Sequence, residues 1–219
     1  MKQSLGIAMF SINVLRRTFG KSALALSIVV SPVWVLAQVA VGQTAPAFSL
    51  VAADGKTVTL DSLRGKTVVL EWTNHDCPYV RKHYDAGNMQ AQQKDAAVNG
   101  VVWLQVISSA AGKQGHVDAP TARTLNTQRK ATPAATLLDS SGQVGKLYGA
   151  RTTPHMYVIN AQGLLVYQGG IDSIASSRTE DIAKADQYVK LALADLAAGK
   201  PVTKSTSKPY GCSVKYSDS

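Results

Sequence analysis

The order in which apolar runs change their spacing constrains this chain most. Val68-Val69-Leu70-Glu71-Trp72 and Val101-Val102-Trp103-Leu104-Gln105-Val106-Ile107 are short and nearly continuous, the pattern of central strands covered on both faces. Between them, residues 79–98 are rich in Gln, Ala and Lys and are expected to form one helix running through Gly87. Thr121 is expected to cap a further helix reaching about Lys130, and residues 134–138 to form the next strand. The style then changes. His155-Met156-Tyr157-Val158-Ile159 and Leu164-Leu165-Val166-Tyr167-Gln168 flank Asn160-Ala161-Gln162-Gly163, which predicts an antiparallel hairpin. Ile182, Ala185, Val189, Ala192, Leu193 and Leu196 recur at helical spacing, predicting an amphipathic helix over 179–198 that Gly199 ends. Ahead of the first central strand, Asp54-Gly55 lies between two short strand-like runs, a hairpin signal.

A β-α-β unit, a β-hairpin and a closing helix, in that order, make a thioredoxin fold. The expected class is α/β, with a mixed central sheet flanked by helices, an N-terminal hairpin extension and an extended C-terminal tail. Residues 1–37 are expected to lie outside it as a signal peptide. Arg16, Arg17 and Lys21 precede the uncharged stretch 22–37, and Val35-Leu36-Ala37 supplies the small or aliphatic residues of a cleavage site. Arg16-Arg17-Thr18-Phe19-Gly20-Lys21 also has the look of a twin-arginine signal, and an uncleaved anchor over 22–41 is the alternative, interrupted by Pro32. The expected product is exported, periplasmic or secreted, and meets the membrane only through this segment. Residues 38–198 then form one domain and 199–219 a tail carrying Cys212. Removing Lys2, Arg16, Arg17 and Lys21 lowers the formal charge from +9 to +5. The remaining cations are scattered among acids, so nucleic acid is not an expected partner.

The chemistry centres on Cys77. It follows the first central strand by a few residues and precedes Pro78, a residue suited to the first turn of a helix. A sulfur so placed sits near unpaired N–H groups and the positive end of the helix dipole, which favour the thiolate. His75 is close enough in sequence to add charge or take a proton, and Arg81, Lys82 and His83 crowd the first turns. The polar leader Asn74-His75-Asp76 argues against a buried, inert cysteine. Thr152-Thr153-Pro154 stands immediately before the hairpin. The proline either starts an edge strand or, as a cis residue, turns the backbone of Thr153 toward the thiol, where an extended partner can pair with it.

Residues 41–196 resemble the redoxin (AhpC/TSA) branch of the thioredoxin-like superfamily. Val41-Gly42-Gln43-Thr44-Ala45-Pro46-Ala47-Phe48 is similar to that branch's opening. Asn74-His75-Asp76-Cys77-Pro78-Tyr79-Val80 and Pro209-Tyr210-Gly211-Cys212-Ser213-Val214-Lys215-Tyr216 resemble its peroxiredoxin-like 1 subfamily. The resemblance implies a thiol-dependent oxidoreductase with Cys77 and Cys212 as its reacting residues. His75, Pro78, Tyr79, Thr153 and a cis Pro154 would form the loops around the substrate. It also departs from its relatives. Val80 stands where thioredoxins carry the second cysteine of C-x-x-C, so there is no local dithiol. Peroxiredoxins carry P-x-x-x-T-x-x-C with its cysteine at that same position, and Thr73 and Cys77 replace its Pro and Thr. A thiol peroxidase or antioxidant of low activity is therefore the alternative function, not the first.

Cys212 can supply the missing thiol. Residues 199–208 are mostly Lys, Ser, Thr and Pro and read as a solvated linker. From Gly199 to Cys212 the extended chain reaches about 40 Å, against a domain radius of gyration near ~16 Å. Tyr210, Val214 and Tyr216 offer apolar anchors for docking beside Cys77. Cys212 then either resolves a mixed disulfide at Cys77, rests in a disulfide with it, or forms a permanent staple. The expected partners are a protein or small-molecule disulfide, or a peroxide, and an external thiol reductant. No cofactor is required. A rival from another class is a Cu or Zn module using His75, Cys77 and His155 as metal ligands.

Overall fold

The computed structural model describes residues 39–218. The signal peptide, twin-arginine motif and cleavage site read from residues 1–37 lie outside these residues. Among the described residues no helix is long and apolar enough to cross a membrane.

The chain is built on a five-stranded sheet. A hairpin of β1 (Ser49–Val51) and β2 (Thr57–Thr59) comes first. It turns at Gly55, whose φ of +87° suits a residue without a Cβ. The sheet itself contains β3 (Val68–Trp72), β4 (Val102–Ile107), β5 (Ala135–Leu138), β7 (His155–Ile159) and β8 (Leu165–Gly169), with β6 (Thr152–Thr153) outside it. Its order is β5-β4-β3-β7-β8. β3, β4 and β5 run parallel, while β7 and β8 pair antiparallel to their neighbours. This is the expected thioredoxin architecture.

Alternation along the strands divides the interior into two layers. Leu70, Trp72, Leu104, Val106, Tyr157 and Ile159 face a core closed by the N-terminal hairpin and by Tyr148. Val69, Trp103, Met156 and Val158 face the other layer, where Cys77, Val80 and Tyr84 pack with Met89 and Val189. Three helices supply that second cover: α1 (Pro78–Asp85), α2 (Asn88–Val98) and α5 (Tyr188–Ala197). α3 (Ala119–Arg129) and α4 (Gln143–Tyr148) lie between β4 and β7 in sequence.

Several local expectations are corrected. The helix expected over 79–98 is two helices, because Gly87 takes a left-handed φ of +72° that restarts the chain at Asn88. Asp118, not Thr121, caps α3: its carboxylate accepts the Thr121 N–H at 2.9 Å. The segment expected to be helical from 179 begins with a 3₁₀ turn, Thr179–Lys184, and α5 starts only at Tyr188. α4 escaped sequence reading. Its signal was Asp139, whose carboxylate accepts from the N–H groups of Val144 and Gly145 and from Ser108, itself bonded to the indole of Trp72.

The 199–208 segment is more than a solvated linker. Gln168 donates to the Ser205 carbonyl and accepts from Ser207 N–H, both at 3.1 Å, so the chain bridges the edge of β8 at Thr206. Backbone hydrogen bonds made this way leave no trace in side-chain composition. After it comes β9 (Cys212–Ser213), which pairs antiparallel with β6.

Candidate functional site

β3 ends at Trp72, and Asn74 turns the chain by accepting the Asp76 N–H on its side chain at 2.9 Å. Cys77 then occupies the N-cap of α1 with Pro78 following it. Its carbonyl accepts from Val80 at 3.0 Å and from Arg81 at 2.9 Å. The sulfur therefore sits at a helix N-terminus, as the sequence implies.

It is bonded to Cys212. The two Cα atoms are 5.9 Å apart across 135 residues, and the backbone around them forms a short two-stranded sheet in which Thr153 faces Cys212 and Thr152 faces Ser213. The Thr153-Pro154 peptide is cis. The Thr153 carbonyl oxygen lies 3.0 Å from the Cys77 sulfur, and the Cys212 N–H points at the same sulfur from 3.4 Å. Cys77, Thr153, Pro154 and Cys212 are thus brought together. The exposure expected of Cys77 is corrected: it is 0% exposed, packed in the apolar layer with Val80, Met156 and Val158 and bonded to Cys212.

The tail is held by named contacts. Val214 is buried and donates its N–H to Arg151 O at 2.9 Å, while Ala110 N–H donates to Lys215 O at 2.8 Å. Tyr216 donates to Ala150 O at 2.7 Å, with its ring over Gly142 and Gly145, where any Cβ would displace it. Tyr210 packs edge-on against Tyr79 with ring centroids 5.9 Å apart. Gly211 has φ +134°, and a Cβ there would collide with the Thr153 carbonyl.

Behind Tyr210 lies a charged cluster with no exposed surface. Lys82 Nζ is 3.2 Å from Asp172 Oδ2 and also donates to Ile174 O at 3.2 Å. Tyr210 donates its hydroxyl to Asp172 Oδ1. His83 Nδ1 accepts from Asn88 at 2.8 Å, which leaves the proton of a neutral ring on Nε2, facing Asp172 at 3.7 Å. Burial holds its pKa down to about 4 against the opposing pull of Asp172. Lys82 and His83 therefore do not surround the sulfur as free cations; Lys82 is spent on Asp172, and Arg81 lies 3.9 Å from Asp85 at the surface. His75 faces Asp76 at 3.3 Å.

The metal reading fails on strand alternation. Met156 and Val158 point to the layer that holds Cys77, so His155 points to the opposite one, against Tyr157 at 4.6 Å between ring centroids. Among the described residues no three His, Cys, Asp or Glu side chains are grouped to hold a metal ion. Burial, with Arg151 nearby, lowers the His155 pKa to about 3.

These two histidines set a pH dependence. Each is neutral in the fold down to about pH 4, whereas an unfolded histidine titrates near ~6.5. Their contribution to stability is full above about pH 6.5 and falls as pH drops toward 4, because the unfolded chain binds more protons there, by up to about 1.4 kcal/mol per unit for each ring. Urea unfolding should therefore show a chain less stable at pH 5 than at pH 7 by about 4 kcal/mol. An unchanged midpoint would mean that neither ring is held neutral.

Residues 41–168 match the AhpC/TSA family. The chain belongs to that family. Membership agrees with the expectation of a thiol-dependent oxidoreductase. The matched stretch of the AhpC/TSA domain contains Cys77 and Pro154 and stops before Asp172, Tyr210 and Cys212. Similar solved structures include a conserved protein from Geobacillus kaustophilus, with TM-score 0.70 and 23% identity over 84% of this chain and 95% of that one. A hypothetical protein from Sinorhizobium meliloti 1021 has TM-score 0.70 and 21% identity over 83% and 97%. At these identities the likeness concerns the fold. No curated protein matches the sequence.

Sequence reading missed the buried acids near this site. Glu71, fully buried on β3, accepts from Tyr84 at 2.7 Å, Trp103 at 2.8 Å and Gln93 at 3.3 Å, and burial raises its pKa. A carboxylate inside an apolar strand was its signal. Asp172 had none: it follows β8 in a Gly-Gly-Ile-Asp turn, and its partners lie 90 and 38 residues away.

Proposed function

We propose that this chain is an exported thiol–disulfide oxidoreductase in which Cys77 is the nucleophile and Cys212 the resolving thiol. The observation that carries the reading is the Cys77–Cys212 bond at a helix N-terminus, flanked by the Thr153 carbonyl and by a strand pairing that an incoming polypeptide can take over. The export part rests on residues 1–37 and on the oxidising surroundings a disulfide requires.

In the reduced chain the α1 N-terminus and the Cys212 N–H favour the Cys77 thiolate. That thiolate attacks one sulfur of a substrate disulfide. A Cys77–substrate bond forms, the substrate S–S bond breaks, and the second substrate sulfur leaves as a thiolate. The β6 edge at Thr152 and Thr153 holds the partner's backbone while Pro154 fixes the turn. Cys212, as thiolate, then attacks the Cys77 sulfur, closing Cys77–Cys212 and releasing the first substrate sulfur. Two electrons have passed to the substrate, and an external thiol restores the pair. Read backwards, the same steps oxidise a dithiol. Pro78 and Tyr79 follow the sulfur in the first turn of α1, Tyr79 packing against Tyr210 of the tail, and His75 precedes it by two residues.

A permanent staple is the rival, and the reduction potential separates the two. The oxidised protein is equilibrated with glutathione buffers, acid-quenched, and its thiols counted by mass. Exchange should reach equilibrium with a potential above about −300 mV. A bond that persists unexchanged through buffers more reducing than that overturns the catalytic reading.

A further inference from the structure

Cys77 has no exposed surface, is bonded to Cys212 and lies beside the β6–β9 pairing, so a substrate takes the tail's place at its sulfur only once Cys212 has left it. What the substrate then meets is the imprint of the tail. Its reacting cysteine must stand where Cys212 stands, and its backbone must run antiparallel to Thr152 and Thr153, as β9 does. The residue immediately before that cysteine falls at the position of Gly211. There the backbone is at φ +134° and a Cβ meets the Thr153 carbonyl, so the position accepts glycine. One residue earlier falls the position of Tyr210.

That position is built for a phenol. The ring sits edge-on to Tyr79, and Lys82 Nζ stands 5.6 Å from its centroid. The hydroxyl donates to Asp172 Oδ1 and lies 3.5 Å from both Lys82 Nζ and His83 Nε2. Lys82, Asp172 and His83 have no exposed side-chain surface. A phenylalanine would fill the space and leave the carboxylate short of a donor; an alanine would leave the cluster uncovered. A site whose charged groups are buried and aimed at a hydroxyl discriminates against residues lacking one.

We propose that this cleft is a sequence-selective peptide site for an extended, cysteine-bearing segment with glycine immediately before the cysteine and tyrosine before the glycine. Residues 210–212 are its resident occupant. The inference rests on the thiol-exchange reading above and adds to it the class of substrate.

The test uses the full chain carrying Tyr210→Ala, Cys212→Ser, Val214→Ala and Tyr216→Ala, in which the tail loses the tyrosine, the bond to the sulfur and the two side chains that anchor it. Synthetic peptides Ser-Lys-Pro-Tyr-Gly-Cys-Ser-Val-Lys, with tyrosine replaced by phenylalanine or alanine, or glycine by alanine, carry their cysteine as a mixed disulfide with 5-thio-2-nitrobenzoate. Attack by the Cys77 thiolate on the peptide sulfur forms the Cys77–peptide bond and releases the coloured thiolate. The Tyr-Gly-Cys peptide should react at least about tenfold faster than each of the three others, the loss expected when one hydrogen bond to a buried carboxylate is missing or the backbone is blocked. Rates equal within about twofold, with Cys77 still reacting with cystamine, would overturn the peptide selectivity alone. If Cys77 reacts with neither the peptides nor cystamine, the exchange reading itself fails, and this inference fails with it.

Discussion

Cys77→Ser should lower the rate at which position 77 of the reduced protein reacts with a small disulfide by more than about a thousandfold, leaving only the slower reaction of the Cys212 thiol, because a hydroxyl at the same helix terminus stays protonated and is a far weaker nucleophile than a thiolate. Cys212→Ser should behave differently. Its first step should proceed at least as fast as in the unaltered chain, and the mixed disulfide at Cys77 should then accumulate, since no second thiol is present to displace the partner. Stopped-flow kinetics on the three reduced proteins, with intact mass on the quenched products, reads both effects. Reduction beforehand matters, because the oxidised sulfur has no exposed surface. Hydrogen peroxide in place of the disulfide should react slowly with all three. Val80 is buried in the core where peroxiredoxins carry their cysteine, and Thr73 stands where they carry proline. Equal reactivity of the unaltered chain and Cys77→Ser would remove the enzymatic assignment.

Gly211→Ala should make the Cys77–Cys212 couple about 60 mV less reducing, a hundredfold shift in its equilibrium with glutathione. Two effects act in the same direction. The backbone at φ +134° disfavours any side chain, and the added Cβ collides with the Thr153 carbonyl, so the β6–β9 pairing that brings Cys212 to Cys77 is loosened. Both act only when the tail is seated. The reduced forms of the two proteins should accordingly unfold at the same temperature. Thiol counting across a series of glutathione buffers gives the potential, and a thermal melt of the reduced proteins gives the control. An unchanged potential would mean that the disulfide closes without the strand pairing.

How much of this was legible beforehand differs between elements for identifiable reasons. The run from Val68 to Trp72 was readable as a buried strand because its apolar residues are contiguous. The start of α1 was readable because proline immediately after Cys77 suits a first helical turn. The break at Gly87 was misread, since the surrounding Gln, Ala and Lys favour helix on both sides and the glycine's left-handed turn depends on how α1 and α2 pack. His155 was named as a ligand only in the rival metal reading. Its nearness to Pro154 in sequence suggested nearness to Cys77, while alternation sends it to the opposite layer.

The same division holds for the site. By itself the sequence determined the succession of the five strands of the sheet, the seat of Cys77 at a helix start, and the anchoring residues Tyr210, Val214 and Tyr216, because each of these is written in patterns a few residues long. Only the tertiary structure decided that the tail pairs with Thr152 and Thr153, that the Cys77 sulfur is buried, and that Tyr210 rests on Lys82 and Asp172. Those contacts join residues 38 to 135 positions apart, and their energies come from burial and hydrogen-bond geometry that exist only once the sheet and its helices have packed.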